Sequence, residues 1–60
     1  MSEFMRSILT RVLNQECDNQ LKWKEQDIKY GFSGEERDDN VKRIHEFMEE
    51  NDIPIEPLMH

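Results

Sequence analysis

Tyr30-Gly31-Phe32-Ser33-Gly34-Glu35-Glu36 is the stretch on which the fold of this chain turns. A glycine just past the last turn of a helix adopts the left-handed conformation with no Cβ penalty, so Gly31 stops the helix before it. Phe32 is then placed to fold back on the preceding turn. Ser33 and Glu36 stand at the S-x-x-E spacing of a capping box, where hydroxyl and carboxylate satisfy backbone N–H groups at a helix start. A stop followed at once by a start predicts two neighbouring helices folded back on each other.

Upstream of the joint, apolar residues recur in pairs: Phe4-Met5, Ile8-Leu9 and Val12-Leu13. Pairs repeating every fourth residue line one face of a helix. Ser2 suits its N-cap, and Glu3 suits the positive end of its dipole. From Asn14 to Gln20 the chain is polar apart from Cys17, and two readings compete. The helix continues with its apolar face thinned, or it breaks and restarts with Asp18 or Asn19 as a cap. No Gly or Pro interrupts this stretch, which favours one helix over about residues 3–29. The continued phase sets Trp23 and Tyr30 on the face of Met5 and Val12, and Leu21 and Ile28 on another.

Downstream, Glu35, Glu36, Asp38 and Asp39 load the next helix start with acid, as its dipole favours. Val41, Ile44, Phe47 and Met48 form its apolar stripe, and Asn51-Asp52 with Pro54 end it, giving a helix over about 34–51. Pro54 and Pro57 forbid a helical tail, while Ile53, Ile55, Leu58 and Met59 predict an extended strap over 53–60 lying on the hairpin. The expected fold is all-α: one domain over 1–60, a helical hairpin with an extended tail. So small a core needs a supplement, and dimerisation or partner docking is expected to complete a helical bundle.

Composition narrows the function. Eight Lys and Arg stand against fourteen Asp and Glu, a net charge of −6, which repels nucleic-acid phosphates. With one cysteine there is no intrachain disulfide. No apolar run exceeds two residues, so no segment spans a membrane. The first fifteen residues carry Arg6 and Arg11 among apolar neighbours like a transit peptide, but Glu3 interrupts them and no cleavage-type segment precedes a separate mature domain, so no transit peptide is expected. A cytoplasmic protein is expected.

Few residues offer chemistry. His45 and Glu49, four apart, share a helix face, yet a metal site needs three or four ligands and no others stand near. No metal or cofactor is expected. Cys17 lies between Glu16 and Asp18, which raise a thiol pKa and leave it a poor nucleophile; it reads as a small residue at a helix contact. Gly31 to Ile44 resembles a segment of adenylylsulfate kinases, a GFS-type turn before an acid-arginine helix, carried here by Glu36-Arg37, Asn40 and Arg43. The resemblance implies a P-loop, and no G-x-x-x-x-G-K-S/T run exists in this chain. Kinase chemistry is excluded, and no other catalytic constellation can be assembled.

What remains is an interaction protein. Trp23, Tyr30 and Phe32 cluster at the joint, and large aromatics serve as interface anchors or as core. Carboxylates at Glu35, Glu36 and Asp39, and at Glu46, Glu49 and Glu50, supply an acidic complement. The expectation is a non-enzymatic regulator or inhibitor of bacterial or phage type that docks on a larger protein and self-associates. It binds no nucleic acid, membrane or small substrate. One alternative is a DNA mimic whose carboxylates occupy a nucleic-acid-binding groove. Another is a helix-turn-helix DNA binder, weakened by the acids in the first turns of its recognition helix.

Overall fold

A computed structural model describes residues 1–56 and shows two helices joined as a hairpin, α1 (Glu3–Lys29) and α2 (Glu35–Glu50), with no strand among those residues. Helix α1 starts where Ser2 caps it, its Oγ accepting from the Met5 N–H at 3.1 Å. It runs unbroken through Asn14–Gln20, so the continuous reading holds.

The joint is built from backbone hydrogen bonds. Gly31, at φ 91°, donates its N–H to the Ile28 carbonyl at 3.1 Å, and Phe32 donates to that of Asp27 at 2.7 Å. These two bonds are the Schellman pattern, which satisfies carbonyls that a helix end leaves open. The backbone of Phe32 folds back as expected, but its ring stays exposed.

The capping box is one residue out of place. The N-cap of α2 is Gly34, in the left-handed region at φ 76°, and it makes no side-chain cap bond. The Ser33 hydroxyl accepts from Glu35 N–H at 3.3 Å instead of from Glu36. The reason is steric. Gly34 is buried against α1, where an added Cβ would lie 2.8 Å from Lys24 Cγ. Close approach of the helices demands glycine there, and the cap shifts to accommodate it.

Helix α2 ends with a second Schellman pattern. Asp52 occupies the left-handed position at φ 53°, its N–H donating to the Glu49 carbonyl, while Ile53 N–H donates to that of Met48 at 2.8 Å. This motif sets the side chain after the turn beside the one opening the last turn. Here they are Ile53 and Met48, 3% and 0% exposed. The strap then crosses α1 at Asn14, whose Nδ2 donates to the Pro54 carbonyl at 3.0 Å and whose Oδ1 accepts from Glu56 N–H at 2.9 Å. The expected strap is present as far as Glu56; Pro57, Leu58 and Met59 lie outside the described residues.

The seam between the helices departs from expectation. The polar stretch of α1 is the buried one: Asn14, Asp18 and Gln20 join Cys17 inside. Gln20 Oε1 accepts from Asn40 Nδ2 across the seam at 3.1 Å, and Gln20 Nε2 donates to Glu16 Oε1 at 2.9 Å. Lys24 pairs with Asp38 at 3.0 Å and Arg37 with Asp27 at 2.9 Å, tying the joint end. The buried apolar residues are Cys17, Met48 and Ile53 alone among those described. Phe47 leaves the stripe assigned to α2 and is half exposed. Met5, Val12, Trp23 and Tyr30 do share a face, as the phase predicts, but that face is turned away from α2.

Candidate interaction surface

Trp23, Tyr30 and Phe32 are 42%, 74% and 68% exposed, so the aromatics of the joint are surface, not core. Trp23 and Tyr30 are seven residues apart, two turns along one side of α1. Both therefore point the same way at the joint end. The guanidinium of Arg37 lies over the Trp23 ring, 5.3 Å from its centroid, while its Nε donates to Asp27 Oδ2 at 2.9 Å. A cation over an indole face is favoured by the ring quadrupole. Held from both sides, Arg37 stiffens the surface around Trp23.

Beside this pair is a shallow hollow lined by Asp27, Phe32, Ser33, Gly34, Glu36 and Arg37. One wall is the exposed Phe32 ring, and the others bring a paired acid, a paired base and the free carboxylate of Glu36. The Schellman turn positions Phe32, and the glycine-mediated approach at Gly34 positions Glu36 and Arg37. Large aromatic surface rimmed by charge is the composition of a protein-binding patch.

The acidic candidates fall into two groups. Glu35 and Glu36 border the joint, and Glu46, Glu49 and Glu50 stand at the other end of α2, all exposed. Along an α-helix, Glu35 and Glu50 are separated by roughly 22 Å. Asp39 lies between, on the outer face of α2. The candidate residues thus divide into an aromatic-acidic surface at the joint and a separate acidic end.

Cys17 is buried in the seam, and its thiol pKa is pushed up, first by burial and then by the Glu16 carboxylate beside it. The thiol is protonated and shielded, the opposite of an activated nucleophile. His45 is half-buried, and among the described residues no three His, Cys, Asp or Glu side chains gather as a metal site. No described helix is long and apolar enough to cross a membrane.

Sequence reasoning missed Arg37, Gly34 and Asn14. Arg37 carries a legible signal, a base in an acidic helix start ten residues after Asp27 across a tight joint. The roles of Gly34 and Asn14 depend on contacts to residues ten and forty or more positions away, which no local pattern displays. Comparison with known protein families, with curated proteins and with solved structures finds no match to this chain.

Proposed function

We propose that this chain is a small protein-binding regulator or inhibitor that acts without catalysis, gripping a larger protein through its joint-end surface. One observation carries the reading: the joint exposes Trp23, Tyr30 and Phe32 while the helix seam buries Asn14, Asp18 and Gln20. A chain that stabilised only itself gains by burying its aromatics and exposing its amides. The reverse distribution supports a binding role for the joint. Arg37 and Asp27 keep the patch in one conformation, which lowers the entropy lost on docking.

The test compares partner capture by the wild-type chain and by a Trp23→Ala/Tyr30→Ala variant of unchanged helicity. Loss of an aromatic anchor typically costs a complex at least about 2 kcal/mol, roughly thirtyfold in affinity. A partner held by the wild type and released by the variant supports the reading. Equal capture by both chains refutes it.

A second reading, a DNA mimic, draws on the exposed acids Asp39, Glu46 and Glu50 along the outer face of α2. It requires binding that weakens steeply with salt and is abolished by charge reversal at Glu46, Glu49 and Glu50. Binding insensitive to salt favours the aromatic surface.

A further inference from the structure

The hollow beside the joint carries a charge that its own chain leaves unanswered. Its lining sets two carboxylates, Asp27 and Glu36, against one guanidinium, Arg37. Arg37 is already engaged, its Nε donating to Asp27 Oδ2 at 2.9 Å and its guanidinium lying over the Trp23 ring. Those two charges offset each other, and Glu36 holds the balance. It is exposed and makes no ion pair among the described residues. The positive start of α2 opens on the same hollow and amounts to roughly half an elementary charge. Glu35, Glu36 and Asp38 stand in that first turn, and only Asp38 is paired, to Lys24. Two unpaired carboxylates outweigh the dipole, so the hollow is electronegative.

Phe32 supplies the second feature. Its backbone N–H is tied to the Asp27 carbonyl at 2.7 Å, which holds the exposed ring at the edge of the same hollow as Glu36. The hollow holds about 290 Å³, against roughly 300–1,000 Å³ for sites that enclose a whole small molecule. Its size and shallow form suit one long side chain reaching in from another protein. An aromatic face attracts a cation through its quadrupole. A carboxylate holds a planar guanidinium by two parallel hydrogen bonds.

We infer that this hollow is the socket for an arginine side chain of the protein partner, its guanidinium stacked on Phe32 and hydrogen-bonded to Glu36. The inference rests on the reading that the joint end grips another protein, and it names the group gripped. The chain already holds one such arrangement, since Arg37 sits between the Asp27 carboxylate and the Trp23 ring. Glu36 and Phe32 repeat that pair of groups with the arginine missing. A net charge of −6 draws a basic partner surface in over long range, and the socket fixes where it docks. Lysine matches the charge but brings no plane for the ring and no fork for the carboxylate. Arginine satisfies both.

Nuclear magnetic resonance titration of the full chain with acetyl-arginine amide, which carries the side chain on an uncharged backbone, tests the socket. The amides of Phe32, Ser33, Gly34 and Glu36 are expected to shift and to saturate in the millimolar range. Acetyl-lysine amide is expected to bind at least about threefold more weakly, and neutral acetyl-citrulline amide not at all. Glu36→Gln is expected to weaken arginine binding about tenfold and Phe32→Ala about threefold. Both side chains are exposed, and circular dichroism checks that helicity is kept. Glu25→Gln, at an exposed acid outside the hollow, leaves binding unchanged. Shifts as large around Glu46, Glu49 and Glu50 as around Glu36 report diffuse attraction to an acidic chain and overturn the inference. So does the absence of a saturable shift, and so does a response of the same amides to inorganic phosphate in place of arginine. A partner released by Trp23→Ala/Tyr30→Ala but held undiminished by Glu36→Gln overturns the socket alone and leaves the joint-end reading standing.

Discussion

Gly34 and Gly31 make different demands, although both sit at positive φ in one joint. A Cβ on Gly31 meets nothing within 4 Å, whereas one on Gly34 lies 2.8 Å from Lys24 Cγ. Gly31→Ala therefore costs the left-handed backbone penalty alone, about 1–2 kcal/mol. Gly34→Ala adds displacement of Lys24 and strain on its Asp38 pair, and the expected loss is about 2–3 kcal/mol. Urea midpoints of the two variants check the order. Cys17 supplies a second test at this scale. Its folded-state pKa lies above the unfolded one, so its contribution is complete below the unfolded thiol pKa, about 8.5. It is lost as pH rises through the folded value. Stability measured from about pH 7 to about pH 10 falls further for the wild type than for Cys17→Ala, the difference isolating the thiol. A constant difference between the two curves would remove Cys17 from the alkaline response.

Between elements, one amide ties strap to helix. Asn14 gives a donor to Pro54 and an acceptor to Glu56, and the strap places Ile53 over the end of α2. Asn14→Ala leaves the Pro54 carbonyl and Glu56 N–H without these partners and is expected to cost about 1–3 kcal/mol. Hydrogen exchange is the discriminating measurement. Glu56 N–H should lose protection in the variant, while amides in the middle of α1 keep most of theirs. The two helix ends are legible to different degrees for the same reason. Gly31 announces its left-handed turn by composition, whereas Asp52 occupies the equivalent position with a side chain seldom chosen for it. The bonds from Asp52 to Glu49 and from Ile53 to Met48, with Asp52 at positive φ, show that α2 ends as α1 does.

The whole molecule is elongated, 42 × 22 × 14 Å, and its described apolar interior is three side chains. Each buried apolar side chain contributes about 1.5–3 kcal/mol. A seam of amides adds specificity more than driving force, since each amide exchanges water for a protein partner. Self-association that covered the exposed face of Met5, Val12, Trp23 and Tyr30 would couple folding to association. The melting temperature is then expected to rise with protein concentration, in the manner of an obligate dimer. A melting temperature constant over roughly a hundredfold range of concentration would show that the hairpin stands alone.

Where the chain turns and where α1 begins are properties of the sequence, whereas the sequence favours an unbroken α1 without deciding it, and the structure settles the choice. The turn and the start depend on caps, dipoles and φ preferences that act within a few residues. The phase that aligns Met5, Val12, Trp23 and Tyr30 is local in the same sense, following from helical pitch. Which face of α1 turns toward α2 was decided only by the tertiary structure. Close approach at Gly34, the Gln20–Asn40 bond and the Arg37–Asp27 pair together orient the helices so that the polar stretch lies inside. Periodicity identifies an apolar face but carries no information about what lies opposite it. With hydrogen bonds and ion pairs made across the seam, the face left over is the one that reads as core in the sequence and as contact surface in the fold.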